Sequence, residues 1–158
     1  MIKLRALAMA GLGVLCLGVG PALAADDADA ALAAVRQFGE AINKGDFKTA
    51  IEVQTPDVQI IDEVPPHHWS GQGAAAAWLT SWNAFATKSG ISGQSMAWGE
   101  PARVEVDGDH AYVTRPGVFS FTRKGAQLSE TGSLGAALVK TPAGWRISAW
   151  TWAGSTPK

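Results

Sequence analysis

At 158 residues, with 47% hydrophobic and 17% charged side chains, the chain has the size and composition of one globular domain. Its 13 Lys and Arg against 14 Asp and Glu give a formal charge of -1, which excludes the concentrated positive field of a nucleic-acid binder. One cysteine, Cys16, excludes an internal disulfide and a multi-thiolate metal site.

The first 25 residues read as a secretory signal peptide. Lys3 and Arg5 open it, an apolar run spans 6–19, Gly20-Pro21 breaks that run, and Ala22-Leu23-Ala24 supplies a small-residue cleavage site. The run is shorter than the ~20 residues of a spanning helix, and no Leu-small-small triplet precedes Cys16. The expectation is therefore a processed, periplasmic or secreted chain with no stable membrane insertion. Processing removes the cysteine, and the loss of Lys3 and Arg5 moves the formal charge from -1 to -3. Residues 26–153 are expected to form a single domain, and 154–158 a frayed tail.

After the acidic lead DDAD, Ala31, Val35, Phe38 and Ile42 mark one stripe of an amphipathic helix, with Asp27 or Asp29 in its first turn and Gly45 as a left-handed stop. Asp46 caps a second, short helix that Pro56 ends. The strand DVQIID follows. Val58, Ile60 and Asp62 share one parity, so a strand that turns its valine and isoleucine inward carries the carboxyl of Asp62 with them. Pro65 and Pro66 stop it, and Ser70 is the expected N-cap of a third helix whose apolar face holds Trp78, Trp82 and Phe85. From Ile91 onward the pattern is almost entirely strand, with turns at DGD, RKGA and TPAG and roughly four antiparallel strands. Pro116-Gly117 predicts a sharp bend in the long second strand.

These elements predict an α+β domain, three N-terminal helices packed on a strongly bent antiparallel sheet, with a pocket on the concave side. Seven tryptophans, Trp78, Trp82, Trp98, Trp145, Trp150 and Trp152 among them, either line that cavity or fill a solid core.

The stretch FGEAINKGDFKTAI, the strand PDVQIID, the helix start WSGQGAAAAWL and a last strand opening Gly144-Trp145-Arg146-Ile147 resemble the NTF2-like superfamily, and within it the SnoaL-like and ketosteroid-isomerase-like group. The resemblance covers about residues 30–152 and implies a cone-shaped fold. It also implies that Asp62 stands where the isomerases carry the base that moves a proton beside a ketone. The hydrogen-bond donors of those isomerases fall at Phe38 and Ala136, neither of which can donate to an oxyanion. Such donors are worth about 3 kcal/mol each in the transition state, so steroid isomerisation is not expected unless another group replaces them.

His67 and His68 are adjacent, so their rings diverge in extended chain, and only His110 remains to help; no metal and no cofactor are expected. A different use is His68 at a pocket mouth, paired with Asp62 for proton transfer. Trp69 is read as a lid or hydrophobic staple. The expected ligand-binding residues are Phe38, Trp69, Trp78, Trp82, Trp98, Tyr112 and Trp150. The function expected first is binding of an apolar or aromatic small molecule in an aromatic-lined pocket. A lyase or isomerase using Asp62 as general base on a carbonyl compound, and a non-catalytic dimerising domain, are the alternatives. Leu134, Ala136 and Leu138 on one parity of the penultimate strand, against Ala137 and Val139 on the other, point to a homodimer that covers the outer face of the sheet.

Overall fold

The computed structural model describes residues 21–158. The first 20 residues of the expected signal peptide therefore lie outside the described residues; the next five open the first helix, α1 (Pro21–Lys44). Two further helices, α2 (Phe47–Glu52) and α3 (Ala74–Ser89), accompany seven strands: β1 (Gln54–Ile61), β2 (His68–Trp69), β3 (Ile91–Trp98), β4 (Arg103–Asp107), β5 (His110–Arg123), β6 (Ala126–Thr141) and β7 (Gly144–Gly154).

Local chemistry sets most of these boundaries. Gly45, with φ of 68°, stops α1, and Asp46 caps α2 by accepting from the Thr49 amide at 3.2 Å. Helix α3 starts later than expected, capped by Gly73 in a left-handed conformation rather than by Ser70. Because α1 begins at Pro21, Asp27 lies inside it instead of capping it, and its carboxylate accepts from Lys140 Nζ at 2.7 Å and Trp145 Nε1 at 3.2 Å. Both bonds hold the Asp27 carboxyl below its ordinary range. The stripe of α1 packs Ala31, Val35 and Phe38 against Val58, Ile60, Leu138 and Ile147 of the sheet. Each such side chain contributes about 1.5–3 kcal/mol on full burial.

The expected strongly bent antiparallel sheet is corrected on two counts. The sheet is mixed, because β1 pairs in parallel with β7, and it is open, running β2-β1-β7-β6-β5-β3 with β4 also on β5 and no strong curl. No bulge breaks β5 at Pro116-Gly117: the strand stays in unbroken register with β6 from His110↔Val139 to Arg123↔Ala126. The physical reason is local. The Pro116 carbonyl accepts from the Gly99 amide at 2.9 Å, so the missing proline N–H faces the gap between β3 and β4, where no ladder donor is required. Five strands, not four, follow Ile91. The tail expected to fray is instead tied to β6, with Ser129 and Lys158 exchanging both backbone bonds at 2.9 Å.

Candidate functional site

A cleft of about 750 Å³, counted out to its open mouth, lies between the helices and the sheet. Two helices, four strands and the segment after β1 wall it. Helix α1 contributes Phe38 and Ile42 one turn apart, and α3 contributes Trp78 and Trp82 with the same spacing. Strand β7 adds Trp150 and Trp152 from alternate positions on one face, while β3, β5 and β6 add Met96, Trp98, Phe119 and Leu134. Asp62 and Glu63, just beyond the end of β1, close one side.

Asp62 is positioned by the turn that follows it. Its amide donates to the His67 carbonyl at 3.2 Å and the His67 amide to the Val64 carbonyl at 2.8 Å, around a cis Pro65-Pro66 bond, with Val64 buried as an anchor. The carboxylate turns inward, 8% exposed, as the parity of β1 dictates. It accepts from Trp78 Nε1 at 2.6 Å and from the Glu63 amide at 2.6 Å. Burial nevertheless wins over these bonds and pushes its pKa above the ordinary carboxylate value. Neither Arg115 nor Arg146 pairs with it; Arg115 lies over the Trp98 ring at 5.4 Å.

Glu63 stands exposed at the rim with its carboxyl within hydrogen-bonding reach of Glu130. Its pKa is pushed up to about 7, first by desolvation of the carboxyl, then by the adjacent Glu130 and Asp62 charges. Glu130, 2% exposed on β6, accepts in turn from Trp152 Nε1. Three carboxyl groups thus gather at one side of the cleft. Glu63 and Glu130 escaped the sequence reading. The available signal was parity, since Leu128, Glu130, Gly132 and Leu134 alternate onto one face of β6 and carry an acid inward.

The other indoles are fixed too. Trp82 Nε1 donates to Gln94 Oε1 at 3.2 Å and Trp150 Nε1 to Gln54 Oε1 at 2.9 Å. Trp98 sets its buried N–H against Gly39 of α1, where any Cβ would collide with the indole. Of the residues singled out from sequence, Asp62, Phe38, Trp78, Trp82, Trp98 and Trp150 meet in the cleft. Trp69 is buried elsewhere, donating to Ser81 Oγ at 3.3 Å, and Tyr112 is 44% exposed. His68 is exposed and pairs with Ile61 in the β1–β2 ladder, whereas His67 places Nδ1 3.2 Å from the Asp62 carbonyl. Among the described residues no group of three or more His, Cys, Asp or Glu is arranged to hold a metal ion, and no helix is long and apolar enough to cross a membrane.

The model of the SnoaL-like domain family matches residues 31–155, which contain every element of the site. The chain belongs to the SnoaL-like family. This SnoaL-like domain is similar in fold to an NTF2-like protein with a cystatin-like fold from Novosphingobium aromaticivorans, at 22% identity over 82% of each chain with a TM-score of 0.65. It is likewise similar to a ketosteroid isomerase-like protein from Erwinia carotovora atroseptica, at 19% identity over 84% of this chain and 98% of that one, with a TM-score of 0.70. An NTF2-like superfamily protein from Salmonella enterica matches at 21% identity, over 84% and 93% of the two chains, with a TM-score of 0.65. Among curated proteins, none matches the chain.

Proposed function

We propose that this SnoaL-like domain binds a ring-bearing, largely apolar small molecule in the cleft. The observation that carries the reading is the wall itself: five indoles and the rings of Phe38 and Phe119 surround an open space instead of filling a solid core. The open space, about 750 Å³ out to its mouth, has room for a compact one- or two-ring compound. Calorimetric titration with neutral two-ring compounds is expected to give saturable binding that Trp82→Ala weakens at least tenfold. Binding unaltered by that substitution would refute the reading.

Proton transfer by Asp62 on a carbonyl compound is the second reading, favoured by a raised carboxyl pKa beside the open space. It is the weaker one. Phe38 and Ala136 offer no donor to an oxyanion, and the indole N–H groups of Trp78, Trp82, Trp150 and Trp152 are already committed to oxygen acceptors of the protein. His68, exposed on β2, would need the β1–β2 turn to rearrange before it could assist.

The proposal includes a homodimer through the sheet face that the helices leave uncovered. Its support is a row of outward residues across paired strands, Ala149, Ala137 and Tyr112, beside Ile61, which is 60% exposed.

A further inference from the structure

We infer that the ligand of this cleft is a cation, an aromatic or alicyclic amine in its ammonium form, with its rings among the indoles and its nitrogen at Asp62 and Glu63. The inference rests on the reading of the cleft as a ligand site and specifies the ligand's chemistry.

Three observations converge on it. The first is charge. Asp62 and Glu63 are the charged side chains of the wall, Glu130 lies directly behind Trp152, and no Lys, Arg or His lines the space. None of the ion pairs among the described residues involves any of these three acids. Their protein partners are neutral: the Trp78 indole, the Glu63 amide and the Trp152 indole. Carboxyl groups crowded together, with Asp62 and Glu130 buried and no cation beside them, are costly until a proton or a positive charge joins them. A proton on Glu63, which can bridge to Glu130, is the chain's own answer. An ammonium group is the other.

The second is hydrogen-bond polarity. Four of the indole N–H groups are engaged and the fifth, on Trp98, is turned against α1, so at Asp62 and Glu63 the cleft presents oxygen acceptors, the Gln94 amide and Ser95 hydroxyl of β3 being the side-chain donors left in the wall. A ligand carboxylate placed at these two acids would meet like charge, and a ligand carbonyl there would face acceptors. An ammonium supplies two or three donors and the missing charge together.

The third is the presentation of ring faces. Trp78 meets Trp150 edge-on at 4.9 Å and 89°, and Trp98 meets Trp152 at 6.0 Å and 87°. In such T-shaped pairs one ring offers its edge to the face of the other, so the four planes do not stack away all their π surface. An ammonium is drawn to the electron-rich face of an indole. The chain already uses that attraction at the far end of the site, where the Arg115 guanidinium lies over Trp98 and donates to the Gly99 carbonyl at 2.8 Å.

The test compares three ligands of one shape: 2-naphthylmethylammonium, 2-naphthalenemethanol and 2-naphthoate, titrated calorimetrically at pH 8. Asp62, Glu63 and Glu130 face the nitrogen position, with His67 behind Asp62. The ammonium is expected to bind at least tenfold more tightly than the alcohol, and the naphthoate most weakly. That ratio is expected to fall toward one in both Glu63→Gln and Asp62→Asn, each checked for native near-ultraviolet circular dichroism, and to persist in Glu105→Gln on the distant β4. Alcohol binding as tight as the ammonium's would overturn the inference while leaving the cleft a ligand site. A preference that survives both carboxyl substitutions would overturn the assignment of the nitrogen to these residues. Binding of none of the three would remove the ligand-site reading and the inference with it.

Discussion

Replacing Trp78 by Phe tests whether the indole at Asp62 is an electrostatic partner or only wall. The bond is short, 2.6 Å, and its acceptor is 8% exposed, so solvent screens little of it. A hydrogen bond to a charged group contributes about 1.5–3 kcal/mol, and the lost pyrrole portion of a half-buried ring adds about 1 kcal/mol in packing. The expected loss at pH 8 is about 3 kcal/mol, or roughly 10 °C in Tm for a domain of this size. Its pH dependence follows from sign. Asp62 has a raised folded pKa, so its contribution to stability is present below the ordinary ~3.9 and is lost as pH rises through the folded value. The indole favours the ionised form. Trp78→Phe should therefore raise that pKa further, and its cost should be largest above the folded value and shrink toward pH 4. Urea unfolding of wild type, Trp78→Phe, Asp62→Asn and the double variant isolates the pair, with an expected coupling of about 1–2 kcal/mol at pH 8. A Trp78→Phe loss that is the same within ~0.5 kcal/mol in the Asp62→Asn background, or that does not vary with pH, would refute the reasoning.

Glu63→Gln should flatten the pH profile of melting: the wild-type carboxyl, raised to about 7, stabilises the fold below its ordinary ~4.3 and loses that contribution as pH climbs through 7. Melting temperatures of both proteins from pH 4 to 9 check this, and parallel profiles would count against it. Gly132→Ala should cost about 1–3 kcal/mol by urea unfolding, because its Cβ would lie 2.7 Å from the Ala153 carbonyl oxygen and 2.9 Å from Gly154 Cα, both backbone atoms with little freedom to move. Gly135→Ala, whose nearest neighbour would be Thr151 Cγ2 at 3.5 Å, should be tolerated in the same assay. Light scattering at micromolar concentration should give twice the chain mass, and a single-chain mass would remove the proposed dimer. Cell fractionation and N-terminal sequencing should find a chain starting near Ala25 or Asp26 outside the cytoplasm; an unprocessed, membrane-bound form would contradict export.

What the sequence made legible was local. The inward parity of Val58, Ile60 and Asp62 holds because a strand's side chains alternate whatever the strand pairs with. The Gly45 stop, the Asp46 cap and the turns at DGD, RKGA and TPAG likewise depend on a few neighbouring residues. The parallel pairing of β1 with β7 joins segments about 90 residues apart and leaves no trace in either one. Pro116 misled for a related reason: whether a missing donor breaks a strand depends on what lies opposite, and here a gap does. The Glu63–Glu130 contact joins a rim residue to a strand distant in sequence. Trp69 and Tyr112 carry the same aromatic character as the cleft residues, yet one is buried under α3 and the other lies on the opposite face of the sheet.

The C-terminal tail has a practical consequence for anyone handling this protein. Ser155 bonds to Thr131 on one side of Glu130, and Lys158 to Ser129 on the other, so the last residues form a short rung over the most secluded of the acids. Loss of that rung would let water reach the Glu130–Trp152 bond from behind. Such a change should be read in a titration, since the carboxyl beside Glu130 at the rim would respond to it. Batches that differ only in their final residues should therefore be compared by their proton affinity before they are compared by anything they bind.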